Sequence, residues 1–202
     1  ARSCHGAFSF PISVKRIDQT TRSHFEQRMI RGLQVYYSTL GERIVASAAA
    51  GGALSETFWE RERPSFARAL APLVGDGLRL GMRLGSEAFP MPAPDLKAPL
   101  DTAVARHSAD LAARVLPALS ERVDGVVRDW VDRRTPVDEL RHALQAGALS
   151  DGQAKLTAIT ETTRLICAGQ LLLWTATSRP AKAWTTVVGK RWVVQADDVC
   201  PL

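Results

Sequence analysis

Residues 73–89 read LVGDGLRLGMRLGSEAF, and the fold turns on how that stretch is understood. Gly77, Gly81 and Gly85 recur at four-residue steps, a spacing that places them on one face of an α-helix. Glycine in a helix interior costs about 1 kcal/mol relative to alanine. Three on one face therefore have two explanations. Either a neighbouring helix approaches so closely that its backbone needs the space, or the segment is a loose or broken helix. The spacing leaves both open.

Upstream, Val14, Ile17, Phe25, Met29, Leu33, Tyr36, Leu40 and Ile44 recur mostly at three or four residues. That is one helical stripe from residue 13 to about 50, with Arg16, Arg22, Arg28, Arg31 and Arg43 left for other faces. Gly51 and Gly52 punctuate its end. Ser55 is placed to cap a second helix carrying Phe58, Trp59, Phe66, Leu70 and Leu78.

Downstream, Pro90, Pro92, Pro94 and Pro99 make residues 90–99 a connector. Beyond it Val104, Leu111, Val115, Leu119, Val126 and Trp130 fall roughly in phase in a helix that Pro117 should bend or split. Thr135 as N-cap, Pro136 as first helical residue and acidic Asp138 and Glu139 open the next helix. Ser150 and Gln153 stand at capping-box spacing before the last helical run.

The pattern changes in KAWTTVVGKRWVVQA, residues 182–196. Two β-branched runs, 185–188 and 191–194, flank Gly189 and Lys190, which suit a two-residue hairpin turn. An isolated hairpin is marginal in water, so this one must pack on the helices or pair with a strand from elsewhere. The expected fold is mainly α with a small C-terminal β-hairpin, an α+β chain. Residues 1–89 form an arm of long amphipathic helices, 90–99 the Pro-rich connector, and 100–202 a helical core with the hairpin at about 183–196.

Composition narrows the function. Apolar residues at 46% and charged residues at 23% are globular values, which excludes a disordered chain. The net charge of +5 is dispersed, with no block of Lys and Arg, so it reads first as a solvated basic surface. Cys4, Cys167 and Cys200 are widely spaced, which argues against a disulfide scaffold and fits a reducing compartment. The opening ARSCHGAFSFPISVKR has no long apolar run and does not read as a signal peptide. Arg79 and Arg83 interrupt the most apolar stretch, so no membrane partner is expected.

LTAITETTRLICAGQ, residues 156–170, followed by KRWVVQADDVCPL, residues 190–202, resembles the signature of the head morphogenesis family of tailed phages, the Mu F-like minor head proteins. The matching residues are Ile159, Thr160, Glu161, Arg164, Gly169, Lys190, Trp192, Asp197, Val199, Cys200 and Pro201, and the likeness covers about residues 100–202. Two departures stand out. The family's small residue between Ile and Thr-Glu is missing, and so is a second Cys after Leu202, so the sequence is expected to continue beyond its last residue.

The resemblance implies a structural minor head protein of a tailed phage or prophage, in the virion at the portal vertex inside the capsid, after assembly in the bacterial cytoplasm. Implied partners are the portal protein, the major capsid or scaffold protein, and packaged DNA through non-specific contact. Alternatives are a basic helical nucleic-acid-binding protein, and a carrier domain of a longer fusion with a C-terminal enzyme or toxin.

Residue by residue, the chemistry points the same way. Glu161 and Arg164, three apart on a helix, read as a structural ion pair that also fixes the hairpin, since no His or second carboxylate at useful spacing completes an acid–base site. Asp197 and Asp198 read as a turn. Cys200 and Pro201 would be half of a zinc site only with further ligands that this sequence does not pair with them. Cys167 reads as core, and Trp59, Trp130, Trp174, Trp184 and Trp192 as packing rather than base stacking. No P-loop, nucleophile elbow or dinucleotide fingerprint occurs. No catalytic residue, cofactor or metal is expected.

Overall fold

A computed structural model describes residues 19–51, 54–88 and 96–177. These form α1 (Gln19–Gly51), α2 (Glu56–Ala88), α3 (Lys97–Arg133), α4 (Val137–Ala146) and α5 (Asp151–Thr177). There is no strand among the described residues. The expected hairpin at 183–196 lies outside them, as do Val14, Ile17 and Arg16.

The stripe expected in α1 is the buried one: Phe25, Met29, Leu33, Tyr36, Leu40 and Ile44 are all in the core, and Tyr37, Val45 and Ala48 widen it. In α2, Phe58, Phe66, Leu70 and Leu78 are buried and Trp59 packs at the edge. The seam of α3 is shifted from expectation. Leu111 and Leu119 are buried together with Leu116, Val123 and Val127, whereas Val104, Val115, Val126 and Trp130 sit at the margin. The cause is that α3 packs on α2, α4 and α5, so its buried face is broader than one contact line.

Contacts fix the direction of each helix. Phe25 meets Gly77 while Tyr36 meets Phe66, so α1 and α2 are antiparallel. Arg114 reaches Glu161 and Arg122 reaches Gln153, so α3 and α5 are antiparallel too. Gly77 faces Leu165 and Gly85 faces Leu173, so α2 and α5 run parallel. The result is an up-down-up-down bundle of four long helices. α2 and α5 are its central pair, each also touching α1 and α3, and α4 packs on α1 and α3 through Leu140 and Leu144. Helices from both sides of the Pro-rich connector share one core, so the division at 90–99 is one of sequence rather than of packing.

Three boundaries differ from expectation. α3 begins at Lys97, inside the expected connector, because proline is tolerated in a first helical turn and Pro99 stands there. α3 also runs through Pro117 unbroken. Pro117 and Ala113, whose carbonyl loses its donor, are both exposed, so water can take the missing bond. Finally, Pro136 is the N-cap of α4 and Val137 its first residue, one position later than Thr135 and Pro136 were placed. Trp130 Nε1 donates to the Pro136 carbonyl at 3.2 Å and holds that turn, while Arg134 adopts the left-handed conformation that ends α3. Half of the box at Ser150 forms: its Oγ accepts from the Gln153 N–H at 3.4 Å. The Gln153 side chain turns instead to Arg122 and Thr157. No described helix is long and apolar enough to cross a membrane.

Candidate functional site

Five of the motif residues lie on α5, and helical periodicity divides them. Glu161 and Gly169 face inward, while Ile159, Thr160 and Arg164 are exposed. Lys190, Trp192, Asp197, Val199, Cys200 and Pro201 lie outside the described residues, as do Asp198, Trp184 and any contact between Glu161 and a hairpin.

Glu161 is 4% exposed. Arg164 Nη1 donates to its Oε1 at 2.6 Å, which is the ion pair the spacing predicted. Arg114 Nη2, from α3, donates to Oε2 at 2.8 Å. A carboxylate buried without partners would cost several kcal/mol, and these two charge-assisted bonds offset that cost while tying α5 to α3. Both guanidiniums remain about half exposed. His107, also on α3, borders the cluster. Burial first, then the charges of Arg106 and Arg114, hold its imidazole below the ordinary value, against the pull of Asp110 and Glu161. It is therefore neutral at pH 7.

A second buried carboxylate joins α1 to α2. Glu62 is 6% exposed and accepts from the Tyr36 hydroxyl at 2.7 Å and from Arg43 Nε and Nη2 at 2.8 and 2.6 Å. The Arg43 guanidinium also stands 5.7 Å from the Tyr36 ring centre. Burial, then the bond to Glu62, push the Tyr36 hydroxyl far above its ordinary value, so it is a permanent donor. Sequence reasoning did not single out this triad. A signal was present, since Glu62 falls at four-residue steps between Phe58, Phe66 and Leu70 on the buried stripe. Nothing comparable marked Arg114.

Gly169 explains the glycines of α2. A Cβ on Gly81 would strike the carbonyl oxygen of Ile166, and a Cβ on Gly169 would strike that of Leu78. A Cβ on either would also stand 3.0 Å from the Cα of the other. Flanking positions repeat the fit: Gly77 receives Leu165, and Gly85 receives Leu173. Close backbone approach is thus the right explanation of the spacing, and the helix is neither loose nor broken. Gly81 and Gly169 each turn a Cα hydrogen toward a carbonyl of the other helix, a weak attraction that the short distance allows.

Cys167, expected in the core, is only partly buried, because the inward positions beside it are Leu165 and Ile166. Trp59, Trp130 and Trp174 are partly buried. A groove of about 290 Å³ lies between α1, α4 and the start of α5, floored by Tyr37, Leu144 and Leu149. On its rim Gln34 pairs with Asp151 at 2.7 Å and Arg141 with Glu42 at 3.1 Å. Among the described residues no three His, Cys, Asp or Glu side chains come together as a metal would need.

No protein-family model matches the chain, and no curated protein or solved structure matches it either.

Proposed function

We propose that the chain is a structural minor head protein of a tailed bacteriophage or prophage. It would act at the portal vertex inside the capsid, in procapsid assembly and in packaging or delivery of DNA. The observation that carries the proposal is the ordered run of motif residues, Ile159, Thr160, Glu161, Arg164 and Gly169 on α5, then Lys190, Trp192, Asp197, Cys200 and Pro201. The packing is compatible with a structural role for two of them: Glu161 and Gly169 hold α5 to α3 and α2. A C-terminal hairpin at about 183–196 belongs to the same proposal. The partners are the portal protein, the major capsid or scaffold protein, and packaged DNA held without sequence preference by the basic surplus.

Mass spectrometry of gradient-purified particles from the source strain tests this. The chain should be present at a few copies per particle, and its absence from both procapsids and mature particles would remove the proposal. A free nucleic-acid-binding role would instead show as an affinity of the isolated protein for duplex DNA that falls steeply with salt.

A further inference from the structure

The outward face of α5 is unlike that of the other long helices. α3 presents Arg106, Asp110, Glu121, Arg128 and Asp129 to solvent, as a wetted face should. From Leu156 to Thr177, α5 carries only Glu161 and Arg164, and these pair with each other. Leu156, Ile159 and Leu171 stand 61%, 39% and 56% exposed along this face. Thr160, Thr163 and Thr175 lie among them, and their hydroxyls donate to the carbonyls of Leu156, Ile159 and Leu171 at 3.0, 3.3 and 2.9 Å. With the hydroxyls of Thr160 and Thr175 engaged on their own helix, their methyls are what a neighbour would meet there. Arg22 of α1 reaches the Thr163 hydroxyl at 2.9 Å and Arg164 stands half exposed on the same side, but the stretches around Leu156, Ile159 and Leu171 are apolar in effect, which is unusual for a surface left to water.

We propose that residues 178–202 of this chain fold back along α5 and cover this face, an inference that rests on the hairpin of the proposed function. The chain leaves α5 at Thr177, and Ile159 lies about 27 Å back along the helix at 1.5 Å per residue. Residues 178–184 extended span about 23 Å, and the arm 185–188 adds about 13 Å, so the turn reaches past Ile159. A two-residue turn at Gly189 and Lys190 sets Val187 opposite Trp192 and Thr185 opposite Val194 on one side. That side is apolar and matches the α5 face. Lys190 falls in the turn and Arg191 on the opposite side, toward water.

Trypsin digestion of the full chain tests the proposal through the bonds after Lys190 and Arg191. These should be cut at least about tenfold more slowly than in a synthetic peptide of residues 178–202, because cleavage needs a locally opened, extended segment and a hairpin held on α5 opens rarely. The double substitution Leu156→Glu with Ile159→Glu should bring cleavage to the peptide's rate, with helical circular dichroism unchanged. Val35→Glu, on an equally exposed apolar position of α1, should leave it alone. Cleavage of the wild type at the peptide's rate would overturn the inference, and so would protection that survives the double substitution. If sedimentation shows a wild-type dimer that the double substitution dissolves while cleavage stays the same, a second copy covers the face and the inference is wrong. Protection in a protein absent from particles would keep this inference and remove the head-protein proposal, so the two fail separately.

Discussion

α5 is held on one side by α2 and on another by α3, and the two seams use different physics. Along α2 the contact is backbone on backbone at its centre, where Gly81 meets Gly169. Along α3 it is a buried carboxylate shared by two half-exposed guanidiniums. The first seam has no room to relax, because what a new methyl would strike is a helix carbonyl with its own hydrogen bond to keep. The second has slack, because a long arginine can swing into water. α1 and α2 combine both kinds, with Phe25 packed at Gly77 and Glu62 gripped by Tyr36 and Arg43.

The comparison is broken most directly at the glycines. Gly169→Val or Gly81→Val should abolish the cooperative thermal transition, since overpacking against backbone costs upwards of about 3 kcal/mol. Gly81→Ala should cost roughly 2–3 kcal/mol in urea unfolding, although alanine favours helix by about 1 kcal/mol. If Gly81→Ala is neutral, the close approach is wrong.

Next come the carboxylates. Glu62→Ala leaves the buried Tyr36 hydroxyl only the main-chain carbonyl of residue 62 at 3.5 Å, and should cost about 2–3 kcal/mol by the same urea measurement, somewhat under the usual loss for a broken buried pair because Arg43 reaches water. Glu161→Ala should cost less than Glu62→Ala, since Arg114 and Arg164 reach water and no buried hydroxyl depends on Glu161 as Tyr36 does on Glu62. The reverse order would show that the α3 seam is stiffer than its exposure suggests.

A smaller effect of opposite sign sharpens the contrast. Gly125 lies within α3 with nothing within 4 Å of an added Cβ, so Gly125→Ala should stabilise by about 0.5–1 kcal/mol, read as a rise in melting temperature. The least effect concerns pH. The folded His107 is held below its ordinary 6.5 by burial first, so the unfolded chain takes up the proton more readily. His107 therefore costs stability as pH falls below about 6.5 and contributes no such loss above it. His107→Gln should flatten the decline in melting temperature between pH 7 and pH 5.

Sequence reasoning found the helices because their apolar stripes repeat at helical spacing and their ends carry Ser150, Gly51 and Pro136. It left the glycines of α2 undecided for a physical reason. Their partner ridge, Leu165, Gly169 and Leu173, has the same four-residue step, but nothing local to either segment says that the two must meet. Gly169 was singled out through a family resemblance, and its packing role emerged only from the crossing. The pair Glu161 and Arg164 was visible because it lies within one helix turn, whereas Arg114 joins it from another helix. The phase of α3 was misplaced because one helix serving several neighbours buries a broader face than a single stripe describes.

The α2–α5 crossing also sets a timetable. Gly81 and Gly169 are roughly ninety residues apart in the chain, so at typical synthesis speeds α2 leaves the ribosome about 5–20 s before α5 arrives. For that interval the groove along Gly77, Gly81 and Gly85 stands open, with α1 and α3 already available to flank it. In refolding of the full chain, the same separation gives this contact a high loop-closure cost, so it should be absent from the folding transition state. Gly81→Ala should then speed unfolding in a stopped-flow denaturant series while leaving the refolding rate nearly unchanged.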